Sequence, residues 1–580
     1  MAVTKEVTIL LVIVGCVVSV LVGYSIHFLA TNGFHGEGET KEISDEQRKY
    51  MREVRLKQLH WMARDVRACP DVETPIGSAP STTSILDFPI STSLNTVWRE
   101  RRAFAYYFEH AAQYLAGGFD QTFWTSVVPQ ICRTEPAVWD AVNTISALFE
   151  APTMCLDFVF LSLRHENSPA LDPEQSEALG WYSRSLSKIR TQIDRNSVDA
   201  QVALISCVLF ICIETLQGHV EEALQLYNQG MRLILDLRAK GRFPARTVLL
   251  ENIIVPLFVR LGAAALTISG VPVCDLLSGL NIGGSYCFTS LESARNALTP
   301  LAAKVQILQR ESGSNPFIGV RSQITPEIVA KRSRLQEGLS GWHCAYTGFT
   351  QRLQGKIPYP ESSNTTIAAT LLAFHATLTT MVSTCLEGRE SIYDAHIPGF
   401  RTTVEQVSIA LEGSATLDGA QPAFTFELGV GLPLFWTALK CRDPPLRRKA
   451  LELLQKAPPV QGFYKCAPGL MLAGKVMELE EGFSKQMLSS SKQSGDNSLP
   501  TPPYENSKED AIQVTTIPEE ARIQHYGVFR PRDQPFMLGP HDVSMWNRGP
   551  DQLFMRFTRN RRDPVDRSVW YLSDECVPMD

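Results

Sequence analysis

A nearly unbroken apolar run in the middle of the chain most constrains the fold. Residues 202–213, VALISCVLFICI, are apolar on every face of a helix and too few to cross a bilayer, so this helix has to be buried inside a bundle. From Val220 to Leu237, after Gly218, apolar residues recur three and four positions apart, which is the stripe of an amphipathic helix. The two helices are predicted to fold back on each other through the glycine.

The composition fits a large helical body. The chain has 580 residues, of which 44% are hydrophobic, so it can bury one large core or two smaller cores without disulfides. Apolar residues recur at helical spacing from Trp98 onward, and we predict an all-α fold, an antiparallel helical bundle or array, over residues 98–483. Residues 484–510 are rich in Ser, Pro and Lys and are predicted to form a disordered loop.

The C-terminal segment, residues 511–580, lacks clear helical periodicity. Leu553, Met555 and Phe557 stand at alternate positions, which predicts a short strand or irregular structure. The basic and aromatic residues that gather nearby are Arg556, Arg559, Arg561, Arg562, Arg567, Trp570 and Tyr571. Such a patch can bind single-stranded nucleic acid by stacking, but two aspartates dilute its charge, and we favour a surface turn.

The start of the chain contains a second apolar run. Residues 7–30 carry no formal charge, and a helix of that length spans about 36 Å, enough for the roughly 30 Å hydrocarbon core of a bilayer. We therefore predict one N-terminal transmembrane helix within residues 1–30, and the Lys and Arg residues that follow it place the bulk of the chain in the cytosol. Two alternatives stay open: a cleaved signal peptide with a poor cleavage motif, or a misassigned start of the reading frame.

Residues 31–97 follow as a basic stalk and a linker. Residues 44–67 are predicted to form an amphipathic helix rich in Lys and Arg, and residues 70–93 have the Ser, Thr and Pro content of a linker. We interpret the helix as a solvated stalk; the alternatives are a surface helix on anionic lipid and an arm that touches DNA. The whole chain has a net charge of −6, which gives no general attraction for nucleic acid.

The sequence offers no recognisable enzyme or metal motif. His165 and Glu166 begin the pattern of a zinc protease, but Pro169 stands where the second histidine would be. The 13 cysteines follow no disulfide framework, so a reducing compartment fits best, and Cys207 and Cys212 are predicted core residues. We therefore expect no enzyme, with no catalytic residue, no cofactor-binding residue and no metal site.

A basic helix start follows an apolar helix near residue 440. Pro444 and Pro445 are suited to the first turn of that helix. The basic residues around the turn are Arg442, Arg447, Arg448 and Lys449. Such a corner can bind an anion or a partner, but we favour a packing role in which Asp443 and neighbouring helix ends neutralise the charge.

Four segments, in order along the chain, carry a resemblance to a known family. They are the helix pair with its turn at residues 214–218, the segment with Glu390, Tyr393, Asp394 and Phe400 and the helix at 401–411, the stretch 424–454, and the turn at 517–522. Together they cover roughly residues 98–524 and resemble the fungal zinc-cluster transcription factor-like proteins. The resemblance implies an all-α regulatory domain that senses signals or mediates dimerisation in transcription regulation.

The resemblance also implies a DNA-reading zinc cluster, which requires six closely spaced cysteines. Before Trp98 this sequence has only Cys16 and Cys69, so we do not expect direct sequence-specific DNA binding by that route. We expect a regulator of fungal type that acts through its helical domain, by protein or ligand interaction, on a metabolic gene cluster.

The expected partners are other proteins or a second copy of the chain, together with the membrane through the N-terminal helix. The membrane is the expected location, and the nucleus is the alternative. Two further functions stay open. One is a membrane-anchored helical scaffold or small-ligand sensor without a role in transcription. The other is an enzyme of secondary metabolism, which we do not favour.

Overall fold

The computed structural model describes residues 98–579 with gaps. The gaps are at residues 118, 152–172, 196–198, 240–248, 269–285, 314–323, 355–361, 417–418, 428, 494–516, 533–536, 538–550, 564 and 567. The predicted transmembrane helix in residues 1–30 and the stalk and linker in residues 31–97 lie outside the described residues. Of the described residues 75% are helical and 9% lie in strands, in agreement with the mainly helical fold predicted from the sequence.

The first part of the described chain, up to Ile268, is a series of helices. They are α1 (Trp98–Tyr106), α2 (Ala112–Ala116), α3 (Val128–Cys132), α4 (Pro136–Glu150), α5 (Pro173–Asp194), α6 (Ala200–Leu216), α7 (Val220–Ala239) and α8 (Val255–Ile268). Wider π-helical turns at Tyr107–Ala111, Thr122–Val127 and Leu250–Ile254 precede α2, α3 and α8.

Helix α6 is the centre of the first hydrophobic core. Its residues 203–216 are buried on every side, as predicted for the apolar run 202–213. Asp199 caps the first turn by accepting a hydrogen bond from the backbone N–H of Gln201 at 2.9 Å. The chain then turns at Gly218, whose φ of 77° suits glycine, and α7 packs back against α6. The predicted fold-back through the glycine is confirmed.

Helix α7 packs tightly against both α6 and α8. A Cβ atom added to Gly230 of α7 would lie 2.5 Å from the ring of Phe258 in α8 and 3.0 Å from Sγ of Cys207 in α6. Only a hydrogen atom fits at this position, because protein interiors are close-packed. Cys207 and Cys212 are buried, as predicted.

A second core follows, built from three long helices. They are α9 (Leu291–Ser312), α10 (Pro326–Gln354) and α11 (Ser362–Thr384). Trp342 of α10 is fully buried, and its Nε1 donates to the carbonyl oxygen of Ala294 in α9 at 2.8 Å. Within the described residues, the part of α11 from Asn364–Thr384 is long and apolar enough to cross a membrane, but half of it is buried inside the bundle. Because half of this segment is buried, it fits a core helix and gives only weak support for a membrane span.

The part of the chain around the third core combines helices with short strands. Its elements are a 3-10 helix (Glu390–His396), α12 (Ile397–Ser414), β1 (Phe424–Thr425), α13 (Gly431–Lys440), α14 (Pro444–Lys456), β2 (Val460–Gln461), β3 (Tyr464–Lys465) and α15 (Cys466–Gln493). Strand β2 pairs with β1 in parallel and with β3 in antiparallel orientation. The disordered loop predicted for residues 484–510 begins too early, because α15 stays helical through Gln493 with exposed side chains such as Lys485 on its surface.

The C-terminal segment contains more strand than predicted. After a 3-10 turn (Glu519–Ala521), strands β4 (Ile523–Phe529), β5 (Phe554–Arg562) and β6 (Trp570–Pro578) form an antiparallel sheet in the order β4-β5-β6. The sheet closes the third core with Met555 and Phe557 of β5, two of the three alternating residues that predicted a strand. Strand β6 escaped prediction because most of its residues are polar or partly exposed, so its hydrophobic pattern is weak.

Candidate functional site

Five charged residues form a buried cluster where two of the four family-like segments meet α15; we call it the ion-pair cluster. Its members are Glu390, Lys440, Arg442, Arg447 and Glu480, each no more than 8% exposed. Glu480 accepts a hydrogen bond from Arg442 Nη2 at 2.7 Å and another from Arg447 Nη1 at 2.6 Å. Glu390 accepts from Lys440 Nζ at 2.7 Å and from Arg442 Nη1 at 2.9 Å. The cluster therefore joins α13, α14, α15 and the 3-10 helix at Glu390.

The electrostatics of the ion-pair cluster depend on Glu480. Burial alone would raise the pKa of this carboxyl, but Arg442 and Arg447 outweigh burial and lower the pKa to about 2. Burial lowers the pKa of Arg447, and its Nη2 has no hydrogen-bond partner among the described residues. These contacts fit a structural role, because buried charges are tolerated when they are paired and hydrogen-bonded.

The favoured packing interpretation of the basic corner agrees with these contacts, although the neutralising groups differ from those expected. Asp443 caps α14 by accepting from the backbone N–H of Leu446 at 3.1 Å. The charges of Arg442 and Arg447 are met by Glu390 and Glu480, which lie far away in the sequence. The other two basic residues pair near the surface, Arg448 with Glu481 at 2.7 Å and Lys449 with Glu452 at 3.0 Å.

A second set of contacts ties the fourth family-like segment to the 3-10 helix. Arg522 donates from Nη2 to Asp394 Oδ2 at 2.7 Å and from Nη1 to Asp394 Oδ1 at 2.9 Å. Glu519 accepts hydrogen bonds from the backbone N–H groups of Glu390 at 3.0 Å and Ser391 at 2.7 Å. The C-terminal sheet is thus anchored to the bundle by paired charges and backbone contacts.

The C-terminal arginines are paired within and next to the sheet. Arg556 bonds to Asp574, and both Arg559 and Arg561 bond to Glu575. Arg562 lies 2.7 Å from Glu520. Arg567 lies outside the described residues. The predicted surface turn is wrong for these residues, because the four arginines lie in β5, where Arg559 is buried, and Trp570 and Tyr571 lie in β6. Their pairing with carboxylates also argues against a stacking platform for single-stranded nucleic acid, which needs available basic side chains.

A cleft lies between the first and second cores. It is formed by α8, α9, α11, the residues before the second π-helical turn and the residues after β1, and it holds about 680 Å³ of empty space, part of which is open to solvent. Most of its lining is apolar and includes Phe119, Leu257, Leu261, Leu298, Phe374 and Phe426. A concave, mostly apolar site with a few polar groups is the usual form of a small-molecule pocket.

Four charged residues converge on this cleft; we call them the cleft quartet. They are Asp120, Arg260, Arg295 and Glu427. Arg260 bonds to Asp120, and its Nε lies 3.8 Å from Glu427 Oε1. Arg295 donates from Nη1 to Glu427 Oε2 at 2.9 Å and from Nη2 to Asp120 Oδ1 at 3.2 Å. Its guanidinium carbon lies 4.3 Å from the ring centre of Phe119, which is cation–π distance.

The two carboxyl groups of the cleft quartet differ in their proton affinity. Burial opposes ionisation of Asp120, but Arg260 and Arg295 outweigh it and lower its pKa. Burial raises the pKa of Glu427, which also shares a hydrogen bond with Asp120. Glu427 is therefore the carboxyl of the pair that takes up a proton more readily.

The sequence did not point to the cleft quartet as a site. Its members lie at positions 120, 260, 295 and 427, and nothing in their spacing indicates that they meet. One usable signal was Arg260, which is the sole charged residue in the apolar helix VPLFVRLGAAALTI. A charge in such a helix needs a buried partner.

The residues considered for enzyme or metal chemistry form no such site in the described part of the chain. His165, Glu166 and Pro169 lie outside the described residues. Cys207 and Cys212 are core residues, and burial raises the pKa of both thiols. Within the described residues, no group of three or more His, Cys, Asp or Glu side chains is placed to hold a metal ion.

Comparison with known proteins gives one informative similarity. The chain is 26% identical over 197 residues to the aspercryptin biosynthesis cluster-specific transcription regulator of Emericella nidulans. The alignment covers 32% of this chain and 32% of that protein, so the chain spans about a third of the length of this relative. No family model matches the chain. No solved structure matches it either. The similarity supports a relation to fungal transcription regulators.

Proposed function

We propose that this protein is a transcription regulator of fungal type that acts through its helical body. The observation that carries the proposal is the similarity to the Emericella nidulans regulator, which agrees with the four family-like segments. Two of those segments meet α15 at the ion-pair cluster, where they are held by buried contacts rather than by a reactive group. The proposed role is regulatory and includes no catalytic step.

The proposed mechanism uses the cleft as the place where a signal is received. The cleft lies between the first and second cores, so an occupant would contact α8 on one side and α9 and α11 on the other. A ligand that prefers one arrangement of these helices shifts the population of that arrangement. Such a shift can change the surface offered to a protein partner or a second copy of the chain. The proposed target is a metabolic gene cluster, reached without a zinc cluster in this sequence.

A ligand sensor without a role in transcription is the second candidate, and the cleft favours it as much as it favours a ligand-responsive regulator. The two candidates differ in where the protein acts. The regulator is proposed to reach the nucleus, directly or through a partner. The sensor is proposed to stay on a membrane through residues 1–30.

Deletion of the gene in its source organism tests the proposed function. We expect a restricted set of transcripts to change, and re-expression of the full chain from a second locus to restore them. A fluorescent tag on the re-expressed chain reports its location in the same strains. Unchanged transcripts would reject the regulator, and an exclusively membrane-bound signal in that case would favour the sensor.

A further inference from the structure

Arg295, one of the residues that line the cleft, has a buried donor without an acceptor. The side chain of Arg295 is 5% exposed. Its two terminal nitrogens donate to Glu427 and Asp120, but Nε has no hydrogen-bond partner among the described residues. A buried N–H group without an acceptor is unfavourable, so a bound molecule that supplies an acceptor is favoured at this position.

The charges of the cleft quartet favour an anion over a cation. Glu427 holds a proton more readily than Asp120 because burial raises its pKa. Burial favours the neutral form of Glu427, and any shift toward that form leaves the positive charge of Arg260 and Arg295 in excess over the negative charge of Asp120. An anionic group compensates this charge, whereas a cation would stand beside two guanidinium groups. Arginine also matches the geometry of a carboxylate better than other cationic side chains do.

We propose that the cleft binds a small, largely apolar carboxylic acid whose carboxylate accepts a hydrogen bond from Arg295 Nε. The hydrocarbon part of the acid lies against apolar lining residues such as Leu257, Leu261 and Phe374. The proposal rests on the proposed function for its biological role, because it names the class of signal that the helical body receives.

Titration of the purified full chain with a matched pair of probes tests the proposal. The probes are 4-phenylbutyrate and 4-phenyl-1-butanol, which share the phenylalkyl group and differ in the carboxylate. We expect calorimetry to give at least tenfold tighter binding of the acid, and thermal unfolding to show a larger increase in Tm with the acid. Equal affinities for the two probes, or binding of neither, would overturn the proposal.

Variants of α9 locate the binding site. Ala302 lines the cleft and is not a member of the cleft quartet, and we expect Ala302→Phe to fill the cleft and abolish binding of the acid. Asn296→Phe adds the same ring at an exposed position of the same helix and should leave binding unchanged. Arg295→Lys keeps a positive charge but removes Nε, and we expect it to reduce the affinity for the acid at least tenfold and to leave the affinity for the alcohol unchanged.

The pattern of results is decisive even where one variant fails to fold. Unaltered acid binding by folded Ala302→Phe protein would place the acid elsewhere and overturn the proposal, whatever Arg295→Lys does. The proposed function is tested separately by the transcripts of the deletion strain. A transcript response without acid binding rejects the ligand class alone, and acid binding without a transcript response rejects the regulator alone.

Discussion

The carboxylate of Glu480 holds several elements of the fold together. It is fully buried in α15 and accepts hydrogen bonds from Arg442, which precedes α14, and from Arg447, which lies in the first turn of α14. It also accepts from the backbone N–H of Ile523, the first residue of β4, at 2.9 Å. Loss of this one negative charge would leave two arginines buried without their main counter-charge, which is far more costly than loss of an exposed pair.

Glu480→Gln should therefore destabilise the protein strongly. We expect the free energy of unfolding to fall by about 3–5 kcal/mol, the usual effect of removing one partner of a buried ion pair. Urea denaturation monitored by tryptophan fluorescence measures this change. Glu481→Gln is the matched control, since Glu481 is the neighbouring residue and pairs with the half-exposed Arg448. Glu481→Gln should lower the free energy of unfolding by at most about 1 kcal/mol. Equal effects of the two substitutions would contradict the role assigned to Glu480.

The stabilisation from Glu480 should also depend on pH. Its pKa of about 2 in the folded protein lies below the value of about 4.3 in an unfolded chain, so its contribution is fully present above that unfolded value. The contribution is lost as the pH falls toward 2, because the folded carboxylate is then protonated. The difference in free energy of unfolding between wild type and Glu480→Gln should shrink over this range. A difference that stays constant from pH 6 to pH 2.5 would count against the paired carboxylate.

At the scale of the element, two helical glycines should respond to substitution in opposite ways, because α7 and α8 approach closely at Gly230 and no element of the described chain approaches Gly180. Gly230 lies where a Cβ atom would meet Phe258 at 2.5 Å, so Gly230→Ala should lower the free energy of unfolding by about 1–3 kcal/mol through overpacking. Gly180 of α5 has no atom within 4 Å of its added Cβ. Gly180→Ala should therefore raise the free energy of unfolding by about 0.5–1 kcal/mol, because alanine has a higher helix propensity than glycine. Chemical denaturation of both variants checks the two signs, and a stabilised Gly230→Ala protein would show that the helices can separate.

The same elements show how far sequence reasoning reaches. Helix α6 could be predicted because an apolar surface on all sides leaves no alternative to burial. Strand β6 could not, because its side chains are mostly polar or partly exposed and its place is set by pairing with β5. The sequence indicated a basic corner at Arg442, but its counter-charges are brought there by the packing of distant helices. The cleft quartet was even harder to predict from the sequence, because its four positions span more than three hundred residues.

At the scale of the whole molecule, the C-terminal sheet is part of the helical core rather than an appendage. Ile523, Met555 and Phe557 belong to the same hydrophobic cluster as α12–α15. The guanidinium carbon of Arg559 in β5 lies 3.5 Å from the ring centre of Phe483 in α15, and Arg559 forms an ion pair with Glu575 of β6. From these contacts and those of Glu480, we expect the sheet and the third core to open together. The first core, centred on α6, shares none of the contacts named here.

Hydrogen exchange should reveal this coupling. In the wild type, peptides covering β4 and β5 should exchange as slowly as peptides from α15, because the sheet cannot open without exposing the third core. In Glu480→Gln, the sheet peptides and the α15 peptides should both exchange faster under conditions where the protein stays folded, because Ile523 and the two arginines lose their common acceptor. The exchange rate of α6 peptides should increase less. Mass spectrometry of peptides from one sample compares the three regions directly, with Glu481→Gln as the control. Fast exchange of the sheet in the wild type, with α15 protected, would mean that the sheet opens independently and that Glu480 stabilises the helices alone.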